Sequence, residues 1–96
     1  MLDKQGRLLL GKDLLAKGNL EPEIMVQCFF DRQKKALLLI PEGDIVDGEE
    51  FYFIQTLKIH KCSRIFMPDK VKRIFPEAKY MPTIHKDKIY ILIFDN

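Results

Sequence analysis

The residues of this 96-residue chain most able to do chemistry are cationic. Between positions 57 and 73, Lys58, Lys61, Arg64, Lys70, Lys72 and Arg73 stand against Asp69 alone. Such a cluster is a local positive field, the kind of surface that neutralises phosphates, and a planar guanidinium beside a base edge adds discrimination between sequences. The halves of the chain differ in sign. Residues 1–48 hold seven Lys and Arg against eight Asp and Glu, whereas residues 49–96 hold nine against six.

Other chemistry finds little support. His60 and His85 have no carboxylate or cysteine at metal-ligand spacing, and the acidic run "PEGDIVDGEE" (41–50) lacks the ligand spacing of a calcium loop. Cys28 and Cys62 stand apart and read as reduced, structural thiols. Phe51, Tyr52 and Phe53 could stack bases, but successive strand residues alternate faces, so at least some of them must be core, and core is the favoured reading for the trio. No nucleophile with a base, paired acid and base, or phosphate-cradling glycine loop is visible, which predicts a non-enzyme without metal, cofactor or small-molecule substrate.

The cations must be positioned by something, and the chain supplies it twice. "DKQGRLLLGKDLL" (3–15) returns as "HKCSRIFMPDKVK" (60–72). A shift of 57 superposes Lys4 on Lys61, Arg7 on Arg64, residues 8–10 on residues 65–67 and Leu14 on Val71. A second match, shifted by 53, lays "KALLLIPE" (35–42) on "KIYILIFD" (88–95). The order in each copy is polar turn, arginine, apolar strand, short helix and strand pair. One domain is expected over 1–96, with repeats over about 1–42 and 51–96 joined by a Gly- and acid-rich linker over about 43–50.

Within the second copy, "FYFIQTLKIH" (51–60) reads as a strand that turns at "KCS" and returns as "RIFM", a β-hairpin. Gly6 stands where a positive φ is wanted, and Ser63 takes that place in the second copy. Pro68 suits a first helical position, and Val71, Ile74 and Phe75 fall on one helical face. Gly18 stops the helix "KDLLAK". Strand pairs follow around "DRQKK" and "KDK", and Pro82 places the strand "MPTIH" on an edge.

A hairpin carrying Gly-Arg-apolar-x-apolar-Pro, then a short helix and another hairpin, resembles the AbrB-like swapped-hairpin superfamily. "QGRLLLGKDLL" and "SRIFMPDKVKRIF" carry the likeness, and two units in one chain is the arrangement of the MraZ-like branch. Gly11 stands for the family proline in the first copy and Ser63 for the glycine in the second; the basic pair Lys72-Arg73 has Leu15-Ala16 as its counterpart. The resemblance implies a mainly β fold, a swapped-hairpin β-barrel of two ββαββ-type repeats with one short helix each. It implies sequence-specific binding of double-stranded DNA by a transcriptional regulator, through Arg7 and Arg64 supported by Lys4, Lys61, Lys72 and Arg73, with Lys12 and Lys70 as subsidiary candidates.

The alternative from a different class is a non-catalytic protein-interaction or ring-forming scaffold of the same fold, its basic residues serving to solvate strand edges. A chain this short buries a thin core, so a homo-oligomer is expected. No apolar run approaches the ~20 residues that cross a bilayer, and the start "MLDKQG" lacks a secretory pattern, so a cytoplasmic location without membrane contact is the default.

Overall fold

Alternating and continuous apolar runs account for most of the elements. The computed structural model describes residues 2–44, 46 and 48–95, so Ile45 and Asp47 of the expected linker lie outside the described residues. The order is β1 (Arg7–Leu9), α1 (Lys12–Lys17), β2 (Met25–Asp31), β3 (Ala36–Pro41), β4 (Phe51–Lys58), β5 (Arg64–Phe66), α2 (Asp69–Ile74), β6 (Lys79–His85) and β7 (Lys88–Phe94). Over the described residues the protein is therefore mainly β, with two short helices. Neither helix is long and apolar enough to cross a membrane.

The strands form two sheets. β1 and β5 make an antiparallel ribbon, and the other five are ordered β4-β2-β3-β7-β6. No ladder among the described residues closes the larger sheet, so the expected closed barrel is replaced by an open sheet with β4 and β6 at its edges. β3 is central and buried on both faces, which is why "ALLLI" is apolar without alternation. β6 is an edge strand, where Pro82 withholds no ladder donor that a neighbour needs.

One face of the large sheet presents Val26, Cys28, Leu37, Leu39, Leu57, Ile89, Ile91 and Ile93 to the ribbon and helices. Leu8, Leu10, Ile65 and Met67, with Leu15 of α1 and Val71 of α2, complete this core. Each fully buried aliphatic side chain contributes roughly 1.5–3 kcal/mol. The opposite face carries a smaller cluster of Ala36, Leu38, Ile40 and Tyr90, flanked by Phe29, Val46, Phe51 and Leu92.

Three expectations are corrected by the pairing. β4 and β5 do not form a hairpin ladder: β4 pairs with β2 and β5 with β1, and the His60 amide donating to the Arg64 carbonyl at 2.9 Å closes the turn between them. β2 offers β4 seven register partners, whereas β5 is only three residues long, so the longer ladder prevails. The shift of 53 between β3 and β7 also fails, because it lays Ala36 of the outer cluster on Ile89 of the main core. An odd shift exchanges the faces of a strand. A shift of 52 keeps them, matching Leu37 and Leu39 to Ile89 and Ile91, whereas 54 matches Val26, Cys28 and Phe30 of β2 to Tyr80, Pro82 and Ile84 of β6. The difference is the shorter turn between β6 and β7, residues 86 and 87 against 32–35. Third, Tyr52 and Phe53 alternate faces as strand residues must, yet they are 47% and 49% exposed on the open edge; only Phe51 packs against a cluster.

The helix boundaries hold to within a residue. α1 covers "KDLLAK" and stops at Gly18, whose amide donates to the Leu14 and Leu15 carbonyls. Gly18 is also a close-approach position: a Cβ there would stand 2.6 Å from Cγ1 of the fully buried Ile89. Pro68 caps α2 from just outside it rather than opening it.

Candidate nucleic-acid interface

The ribbon is built by the segments that the 57-residue shift superposes. Its register pairs Arg7 with Phe66, Leu8 with Ile65 and Leu9 with Arg64, so Leu8 faces its own counterpart. The flanking bonds follow the same relation: the Leu10 amide donates to the Ser63 carbonyl at 2.8 Å, and the Met67 amide to the Gly6 carbonyl at 3.0 Å. Gly6 (φ 80°) and Ser63 (φ 62°) both adopt the left-handed conformation that turns the chain into β1 and β5.

Leu8 and Ile65 point into the core, so period-two alternation sends Arg7, Leu9, Arg64 and Phe66 to the opposite, outer face. The two arginines lie diagonally across the ribbon, and one carboxylate joins them. Arg7 Nε donates to Asp3 Oδ2 at 2.9 Å, and Arg64 Nε lies 3.9 Å from the same oxygen. Asp3 Oδ1 accepts the backbone amides of Gln5 and Arg7, each at 2.9 Å. Those bonds, first the Arg7 amide and then the Gln5 amide, with the Arg7 side chain adding to them, hold the Asp3 carboxyl below its ordinary range against a smaller opposing effect of burial.

The remaining candidates divide. Lys4 and Lys61 are exposed in the turns that precede β1 and β5, at opposite ends of the ribbon. Lys72 reaches from α2 toward the first turn, its ammonium 3.1 Å from where a Cβ on Gly6 would stand, while also lying 3.3 Å from Asp69 Oδ1. Arg73 is exposed on α2. Lys12 is exposed at the start of α1, where Leu15 fills the core at the place matching Lys72. Lys70 turns away, 5.2 Å from the Tyr52 ring beside β4, and so stands apart from the ribbon.

Two participants were missed from sequence. Asp3 sits in the turn four residues before Arg7, and that i, i+4 spacing was the available signal. Cys62 was read as structural, but it is exposed, and a hydrogen bond from Arg64, with further attraction from Arg64 and Arg7, holds its thiol below the ordinary range. Cys28 is the structural one, its thiol pushed up to about 12 by burial. Neither is in a disulfide. His60 lies edge-on to Phe66 at 5.1 Å and lines one end of the same face.

The geometry can present two guanidinium groups, fixed by a shared carboxylate, on a two-stranded ribbon with ammonium groups at both ends. Compared with known proteins, the chain matches no family model, no curated relative and no solved structure.

Proposed function

We infer that the protein binds double-stranded DNA through the outer face of the β1–β5 ribbon and acts as a transcriptional regulator, on a swapped-hairpin frame of AbrB-like type. The observation that carries this reading is the register Leu8 opposite Ile65, which directs Arg7 and Arg64 to one face. A two-stranded ribbon fits the major groove, where an arginine can pair with a guanine edge. The Asp3 bond engages Nε of Arg7 and leaves its terminal nitrogens to the bases. Lys4, Lys61, Lys72 and Arg73 then serve the phosphates, and the relation of the two repeats suits a nearly palindromic site.

Asp3 offsets one of the two guanidinium charges, so affinity rests on the flanking cations and specificity on the arginines. The apolar Leu9 and Phe66, 53% and 44% exposed between the arginines, favour thymine methyl contacts on this reading. The same two side chains support a second reading, a protein-interaction or ring-forming scaffold whose partner covers the ribbon.

The deciding experiment is selection from random duplex DNA at two salt concentrations, with sequencing of the retained pool. A recurring motif whose retention falls steeply as salt rises supports the reading. A pool that emerges unenriched, with weak binding even at low salt, rejects it in favour of the protein interface.

A further inference from the structure

The two outer positions of the large sheet are not filled alike. β4 lies along β2, but among the described residues no strand lies along the matching side of β6. The shift of 54 that carries β2 onto β6 defines the missing place closely. In the first half, the segment entering the β5 turn is bonded at Ile59, whose amide donates to the Ile24 carbonyl at 3.0 Å and whose carbonyl accepts the Glu23 amide at 2.6 Å. The matching residues of the other half, Ala78 and Leu2, stand at the wall of an open groove of about 710 Å³, completed by Tyr80, Pro82, Phe94 and Lys72.

The backbone along that groove is ready for pairing. His85 and Lys88 close a two-residue turn in which Lys86 (φ 52°) and Asp87 (φ 63°) both have positive φ, the type I′ geometry whose closing residues bond each other. Alternation from that pair directs the backbone groups of Tyr80, Pro82 and Ile84 away from β7, toward the groove. Pro82 has no N–H, so this edge offers three carbonyls and two amides. That asymmetry disfavours pairing with β6 of a second copy, where Pro82 would face an outward residue of its twin and the two-way exchange would lose a bond.

We propose that this groove takes an extended peptide segment of a partner protein by strand addition along β6, the segment being apolar at alternate positions and acidic at its C-terminal end. The strand form follows from β4, which fills the matching place antiparallel to β2. The apolar positions follow from Leu2, Tyr80 and Pro82, which line the groove from the core face of the sheet. The acidic end follows from orientation: in the β2–β4 pair the C-terminal Lys58 lies opposite Met25, and the residue matching Met25 on β6 is Lys79, with Lys72 beside it in the groove. A segment running like β4 therefore brings its last residues to two ammonium groups. This site stands whether or not the ribbon binds DNA, but it shares Lys72 with that reading, so a peptide and a duplex would compete for that ammonium.

The test uses the full chain and a capped eight-residue peptide that alternates threonine and valine and ends in two glutamates, read by amide exchange and chemical-shift titration. Binding should slow exchange of the Tyr80 and Ile84 amides by about tenfold or more at saturation, as new backbone hydrogen bonds require. N-methylation of alternate peptide bonds should abolish binding, and replacing the glutamates by lysines, or Lys79 by Glu, should weaken it by about tenfold through loss of complementarity. Shifts that map away from β6, indifference to N-methylation, or a β6 edge that sedimentation and exchange show already covered by a second copy would overturn the proposal. The Lys79→Glu variant changes only an exposed residue, so it reports even where alterations within β6 disturb the hairpin.

Discussion

Leu8 of β1 and Ile65 of β5 lie directly opposite each other in the ribbon, and they are also counterparts under the 57-residue shift. A residue paired with its own counterpart marks a local twofold relation, which is what sends Arg7 and Arg64 to one face. Both side chains are nearly or fully buried, so Leu8→Ala and Ile65→Ala should each cost about 2–5 kcal/mol. Denaturant titration of the single and double variants should show them non-additive, as contacting residues are. Additive losses would mean the ribbon does not pack as one unit.

Replacing both Arg7 and Arg64 by alanine should remove sequence preference while leaving the unfolding midpoint close to that of the parent, since both side chains are partly exposed and their ion pairs are surface pairs worth about 0–1 kcal/mol. A gel-shift series against the selected duplex measures this. Retained preference would assign recognition to other residues. Lys4→Ala and Lys61→Ala should instead weaken binding evenly across sequences and flatten its salt dependence.

The Asp3 carboxyl has its folded pKa depressed, so its contribution to stability is present above the unfolded value near 3.8 and is lost as pH falls through the lower folded value. An NMR titration should place Asp3 below that value. In Asp3→Asn the acid limb of the stability profile should flatten in that window. An unshifted Asp3 titration would show that the turn bonds do not persist in solution. Freed from Asp3, the arginines should bind DNA more tightly but discriminate less.

Ser63 combines a φ of 62°, near-complete burial and an Oγ without a hydrogen-bond partner. Gly6 performs the same turn without either penalty. Ser63→Gly should therefore stabilise the protein by about 1 kcal/mol, raising the thermal midpoint by several degrees. A fall in the midpoint on differential scanning calorimetry would show that the hydroxyl has a partner or that the backbone gain is too small.

The two thiols should separate by reactivity. Cys62, exposed and held toward its thiolate by Arg64, should alkylate at neutral pH, and Arg64→Ala should slow it. Cys28, its thiol pushed up to about 12, should react only on unfolding. Mass-resolved iodoacetamide labelling distinguishes them, and equal rates would contradict the burial of Cys28.

Much of the frame was legible because it is local. "KDLLAK" carries its helix and its glycine stop; "ALLLI" between turn signals gives a strand; Pro82 demands an edge. The shared order of turn, arginine and apolar run located both strands of the ribbon, since their residues carry the same constraints in each copy. Side-chain identity also fixed the left-handed turn at Gly6, and the likeness between copies extended it correctly to Ser63.

What only the tertiary structure decided was which strand pairs with which. Backbone hydrogen bonds are alike in every strand, so "FYFIQTLKIH" could equally turn back on "RIFM" or lie along β2, and the longer ladder and cross-strand pairs along β2 chose the latter. Strand phase was decided the same way: an apolar run such as "KALLLIPE" matches "KIYILIFD" at an odd or an even shift, and the two-sided core alone required the even one. The i, i+4 spacing of Asp3 and Arg7 is local, but the reach of the same carboxylate to Arg64 joins separate segments, a meeting that no local pattern encodes.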